Sequence, residues 1–282
     1  MNNTPINNSI QGGKPKFSVA IKSDSYQRLI NDTLGDPKLA QQFVADISTA
    51  VAINPALSRC EAGSILSAGL VAYTLKLPLN ASLGFAYLVP YGDKAQFQLG
   101  AKGFKQLAMR SGVYIDIDVV DIRDGEYLGR DEDTGKPRFK FITDDVVREN
   151  KPIIGYLAYF VAQNGFKKSL YWSIEKIMAH GKRYSKTFNS TSSTNAWRDN
   201  KEKMCEKTVI KQLLSNWGVL SVELQDALKY DQAVIKDDKS VEYVDKPDDV
   251  KEEMEMEVVE TEVVDKPTPK AQGSLLDAID NE

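Results

Sequence analysis

The spacing of apolar residues first changes at Leu77-Pro78, and that change restricts the fold more than any other feature. Before it, Leu39, Phe43, Ile47 and Val51 recur every four residues from Pro37 onward. After Asn54-Pro55, the residues Leu66, Leu70 and Tyr73 share a face in the same way, so both stretches read as amphipathic helices. Beyond Pro78 the period is two. Phe85, Tyr87 and Val89 alternate against Gly84, Ala86 and Leu88 up to Tyr91-Gly92-Asp93-Lys94, and residues 95–99 return as the second strand of a hairpin. Residues 100–111 read as a short helix ended by Gly112, and residues 113–120 alternate again. Ile153–Ala162 and residues 167–172 are extended and meet at Gln163-Asn164-Gly165, a tight-turn signal. Ser173 is placed to cap a helix starting at Ile174, and a polar loop over 187–195 precedes a long helix over 196–217. The expectation is an α+β fold, a mostly antiparallel sheet flanked by helices.

Charge divides the chain into parts. Residues 236–282 carry six lysines against sixteen Asp and Glu, leaving 30 basic and 24 acidic side chains for residues 1–235. Residues 1–16 are polar and rich in Asn, Gly and Pro, the composition of a flexible arm. Residues 17–235 read as the core, 236–272 as an acidic disordered linker, and 273–282 as a short motif in which Leu275, Leu276 and Ile279 share one helical face. That motif suits docking to a partner groove; the alternative is an inert solubilising tail. With one histidine, His180, and two cysteines, Cys60 and Cys205, neither a Cys/His zinc site nor a disulfide framework is expected. No signal segment and no membrane-spanning apolar run stand out, which points to a reducing cytoplasm.

The chain is poor in catalytic constellations. His180 lies among Lys176, Lys182 and Arg183 with no carboxylate nearby in sequence to orient it, and a helix-end polar role fits it better. No phosphate-cradling G-x-x-x-x-G-K-[S/T] segment is present, so nucleotide-driven work is not expected. Asp116 and Asp118 share a strand face with Asp121 close behind, which leaves open a Mg²⁺-dependent nuclease; the plainer reading is the solvated face of a half-buried strand.

The strongest signal is basic. Residues 160–217 hold eleven Lys and Arg against four Asp and Glu. On the last helix Lys203, Lys207 and Lys211 repeat every four residues, nearly opposite Cys205, Val209 and Leu213, so one face is expected to pack and the other to present ammonium groups. Tyr171, Trp172, Tyr184, Phe188 and Trp197 are interleaved with these charges. Single-strand binders combine a cationic groove with flat side chains on which bases stack, and Tyr184 and Trp197 read equally well as stacking platforms or core. Trp172 and Trp217 read as core.

The segment LPLNASLGFAYLVPYGDKAQFQLGAKGFKQLAMRSG, residues 77–112, resembles the phage RecT family of single-strand annealing recombinases. Three further stretches agree in order: Gly155-Tyr156-Leu157-Ala158 with the Gly165 turn, SIEKIMAHGKRYS at residues 173–185, and WRDNKEKMCEKT at residues 197–208. Ala101 stands where the family usually has an aromatic, and Cys205-Glu206 replaces a smaller, more basic pair. The resemblance, over residues 20–225, implies a protein that coats single-stranded DNA, pairs it with a complement and holds the duplex intermediate within a homo-oligomer, a ring or helical filament. It implies helices shaping a basic groove, no ATP and no required cofactor, with Mg²⁺ only modulating annealing. Its expected partners are a phage exonuclease and a host single-strand DNA-binding protein, in the cytoplasm of a bacterial host carrying the phage or prophage.

On this reading Lys102, Lys105 and Arg110, after the hairpin, converge on phosphates with Lys182, Arg183, Lys186, Arg198, Lys207 and Lys211, while Tyr184 and Trp197 stack against or separate bases. A protector that binds single strands without annealing them is the remaining alternative.

Overall fold

The computed structural model describes residues 16–191, 195–235 and 240–243, which lie in the first of two units, residues 1–246. The second unit, residues 247–282, lies outside the described residues, as do residues 1–15 of the arm expected over 1–16 and the tail motif at 273–282.

Four helices come first: α1 (Phe17–Ala20), α2 (Asp24–Leu34), α3 (Pro37–Ile53) and α4 (Ala62–Thr74). Asp36 caps α3, its side chain accepting from the Lys38 N–H at 2.7 Å. The buried stripe of α3 is Ala40, Phe43 and Ile47, while Leu39 turns out to solvent. The stripe follows the 3.6-residue turn and not a strict repeat of four. Helix α4 is buried on nearly every side, from Ile65 and Leu66 to Val71 and Ala72, and anchors the core.

The hairpin forms as expected, β1 (Ala86–Tyr91) against β2 (Lys94–Leu99). Its core-facing side is the small one, Ala86 and Leu88 with Ala95, Phe97 and Leu99, all buried. Tyr87 and Val89 face the other way, opposite Gln98 and Gln96 in the register. Then follow α5 (Ala101–Arg110) and β3 (Tyr114–Arg123), which reaches further than its apolar alternation suggests. An irregularity between Tyr114 and Asp116 turns Ile115 outward and Ile117 inward.

A small lobe not anticipated from sequence comes next: β4 (Tyr127–Arg130), β5 (Pro137–Phe139) and α6 (Asp145–Glu149). Strands β6 (Ile153–Ala162) and β7 (Lys167–Ser173) complete an antiparallel sheet in the order β3-β6-β7. Ser173 caps α7 (Ile174–Tyr184), accepting from the Lys176 N–H at 3.3 Å.

The single long helix expected over 196–217 is divided. Asn200, at φ −137° and ψ 47°, separates α8 (Ala196–Asp199) from α9 (Lys201–Trp217). After α9 the chain adds α10 (Val222–Tyr230), β8 (Val234–Ile235) and β9 (Val241–Glu242). Pairing of β9 with β8, and the 3.5 Å approach of Lys94 to Glu242, bring residues 240–243 onto the core although their composition reads as linker.

The architecture is α+β, with four small antiparallel sheets among the described residues and helices against them. Helix α9 is its axle: Met204, Cys205, Val209, Ile210, Leu213 and Leu214 are buried against α5 and the three-stranded sheet. Both cysteines are buried and unpaired, and burial pushes each thiol up to about 11, so both stay protonated. Among the described residues no helix is long and apolar enough to cross a membrane.

Candidate nucleic-acid interface

A two-lobed cleft opens between the outer face of the hairpin and the start of the last helices. One lobe, of about 410 Å³, is lined by Gly100, Ala101 and Lys102 at the head of α5 and by Asn200, Lys203 and Met204 at the head of α9. The other, of about 310 Å³, is lined by Val89, Gln96 and Leu57 on one side and by Thr187, Asn195 and Asp199 on the other. Tyr87, Val89, Gln98, Ala196, Asn200 and Met204 line both lobes, so the two are continuous.

Two helix N-termini border this space. Neither Gly100 before α5 nor Asn200 before α9 supplies a side-chain cap, whereas α3, α7 and α10 are capped by Asp36, Ser173 and Ser221. The positive ends of two helices border one lobe, with Lys102, Lys203 and Glu206 beside them. Gly103 lets α5 lie this close: a Cβ there would sit 2.2 Å from the Phe85 carbonyl oxygen. Lys102 makes no ion pair with a described residue, and Lys203 pairs at 3.0 Å with Glu206, which lines the same lobe.

The basic residues expected to contact DNA divide into groups. Lys102 and Lys207 both line the first lobe. The opposite-stripe reading of α9 is corrected at Lys207, which is 5 % exposed and ion-paired at 2.9 Å to the fully buried Asp231. Lys211 reaches the other Asp231 oxygen at 2.6 Å. Asp231 Oδ1 also accepts from the Leu99 N–H at 2.9 Å, so one carboxylate ties α9 to β2 and with it the two walls of the cleft. Burial alone would raise the Asp231 pKa, but the two ammonium groups outweigh it and hold it at about 2. Lys207 and Lys211 therefore set the position of the walls. No sequence signal marked Asp231 as their partner, because it lies 24 and 20 residues away on the loop after α10.

Lys105 and Arg110 point elsewhere. Lys105 pairs with Asp118 at 2.7 Å, and Arg110 donates to the carbonyls of Leu75 and Lys76 at the end of α4. Lys182, Arg183 and Lys186 are exposed at the end of α7 and in the turn after it, where Lys186 adjoins the Thr187 that lines the second lobe. Arg198 is exposed and bonded to Asp199 at 2.7 Å.

The aromatics divide as well. Trp197 is 6 % exposed, packed on Phe188 with ring centres 5.2 Å apart and against Gly181, and so offers no face for a base. Tyr184 is half-buried, with the His180 ring 4.4 Å from its own and the Arg183 guanidinium 5.5 Å away. Trp172 is partly buried under Lys176, whereas Trp217, read as core, is 38 % exposed beneath Lys168.

Two of the three carboxylates that suggested a nuclease are held by cations. Asp118 pairs with Lys105, and Asp121 with Arg123 and Arg148. Among the described residues no group of three His, Cys, Asp or Glu is arranged to hold a metal.

Comparison with known proteins adds the relationship. The model of the RecT family matches residues 41–254. The chain is 37 % identical over 252 residues to "Uncharacterized protein YqaK" of Bacillus subtilis (strain 168), covering 86 % of this chain and 82 % of that protein. It is 26 % identical over 208 residues to "Protein RecT" of Escherichia coli (strain K12), covering 68 % and 71 %.

Proposed function

The chain belongs to the RecT family, whose members anneal single strands in DNA recombination, and we propose from this that it takes a single strand into the cleft between the hairpin and α9. The observation that carries the placement is the meeting of two uncapped helix N-termini with Lys102 and Lys203 in one lobe. Amide dipoles and ammonium groups neutralise phosphates without reading sequence, which is what a protein that must accept any strand requires. The second strand is then selected by base pairing, and the protein contributes proximity and charge screening rather than bond chemistry. No ATP is consumed, and Mg²⁺ acts only by screening phosphates.

Successive copies of the chain along the strand hold the new duplex in an oligomer. Lys182, Arg183 and Lys186, exposed at the end of α7 and in the turn after it, extend the phosphate path, with Tyr184 beside them. In the cytoplasm the partners are an exonuclease that exposes the single strand and a host single-strand DNA-binding protein, reached through the tail at 273–282.

Two labelled complementary oligonucleotides, mixed without ATP, test this. The protein should anneal them faster than they pair spontaneously and release no cleavage products with Mg²⁺. Lys102→Ala and Lys203→Ala should each reduce the slope of log affinity against log salt by about 0.7, the single-strand value for one lost phosphate contact. Spontaneous-rate annealing would refute the function, and unchanged slopes in both variants would refute the placement.

A further inference from the structure

The second lobe has a floor that charge does not explain. Gln96 and Gln98 stand on β2 facing away from the core, yet they are only 2 % and 8 % exposed. Both line the cleft, and the Gln96 side-chain oxygen has no hydrogen-bond partner. A buried acceptor left unpaired has lost its water without gaining a donor, so interiors rarely keep one without a use. Around it the lining mixes apolar side chains, Leu57, Val89 and Met204, with polar ones, Asn54, Asn195 and Asp199. A lobe that joins apolar contacts with an unpaired amide oxygen, beside a lobe that holds lysines, has the features of a site for a planar heterocycle carried on a phosphate chain.

We propose that this lobe receives one unstacked nucleobase of the bound strand and that Gln96 accepts from its exocyclic amine. The inference rests on the cleft being the single-strand path, and it adds a preference among bases to that reading. Cytosine and adenine present an amine on the edge that faces the major groove, whereas thymine and uracil present a carbonyl there. That carbonyl would set acceptor against acceptor at Gln96. The outer hydrogen of the amine is not used in Watson–Crick pairing, so a base held this way keeps its pairing edge for a complementary strand. Phosphates would remain at Lys102 and Lys203 in the adjoining lobe.

Fluorescence anisotropy with labelled oligodeoxycytidylate, oligodeoxyuridylate and an oligomer of the pyrimidin-2-one nucleoside, which lacks the amine, tests this on the full chain. The wild-type protein should bind the cytosine oligomer about fivefold more tightly than either of the others, the worth of one net hydrogen bond. Gln96→Leu should bind all three alike, at the wild-type affinity for oligodeoxyuridylate. Equal binding of the three oligomers by wild type overturns the inference, with no mutant needed. A cytosine preference that persists in Gln96→Leu overturns the role of Gln96. If none of the oligomers binds, the single-strand reading itself fails, which separates the two conclusions.

Discussion

Lys207 and Asp231 form an ion pair shut away from solvent: Nζ lies 2.9 Å from Oδ1, and the two side chains are 6 % and 0 % exposed. The same carboxylate holds the Leu99 N–H and Lys211, so α9, the hairpin and the loop after α10 converge on a single residue. A charge buried this deeply is tolerable only while its partner is present.

Removing one member should therefore act on stability and not on phosphate affinity. Lys207→Met is expected to lower the free energy of unfolding by about 3 kcal/mol, in the range for a broken buried pair, with the slope of DNA affinity against salt unchanged. Urea unfolding and salt-dependent anisotropy on the same protein check both halves. A slope reduced by about 0.7 with wild-type stability would restore Lys207 to the DNA surface.

The pair also makes stability depend on acid. Asp231 is held at about 2, below the ordinary carboxylate value, so its ionised form favours the folded state. That contribution is complete above the unfolded value near 4 and is lost as pH falls through 2, a difference worth about 2 kcal/mol. Asp231→Asn removes it at every pH. The stability gap between wild type and Asp231→Asn should thus be constant from pH 7 to 5 and narrow below 4, as urea midpoints across that range would show. A wild-type stability that instead rises relative to the variant as pH falls from 7 to 4 would mean that Asp231 is neutral in the fold.

Local patterns in the sequence carried over well where the physics is local. The hairpin at Gly92-Asp93, the Ser173 cap and the α3 start at Asp36-Pro37 depend on neighbours within a few residues, and each forms where the pattern puts it. The polarity of the hairpin was not legible: Tyr87 and Val89 alternate with Ala86 and Leu88 with no charged set to mark the outer face, and it is Ala86 and Leu88 that face the core. Nor was the fate of Lys207, since a lysine at helical spacing looks the same whether it meets water or a carboxylate from a distant loop. Lys102 was found from its neighbours, while Lys203, counted among the basic residues, was not marked for the cleft because its place depends on the break at Asn200.

Gly181 marks where α7 touches Trp197. A Cβ at this position would lie 2.7 Å from two atoms of the Trp197 ring and 2.9 Å from Phe188, and a buried indole cannot swing aside as a flexible chain end would. Gly181→Ala should cost about 1 to 3 kcal/mol through overpacking, although alanine is the better helix former. Because Ala196, next to Trp197, lines both lobes, single-strand affinity should fall along with the thermal midpoint. A variant with a raised midpoint would show that the contact is loose.

The lobe of β4, β5 and α6 hangs on another buried carboxylate. Glu126 is fully buried and accepts from Arg148 at 2.7 Å and from the N–H groups of Arg123 and Ile142 at 2.7 and 3.1 Å. Burial works against its ionisation, but these donors outweigh it and hold its pKa below the ordinary glutamate value. Glu126→Gln replaces one acceptor oxygen by an amide donor that faces donors already present, so the lobe should open while the cleft, built from other elements, stays shut. Hydrogen exchange should quicken over residues 124–149 and remain unchanged over 201–217, with single-strand affinity within twofold of wild type. Faster exchange in α9 would instead tie the lobe to the core and make Glu126 part of the global stability.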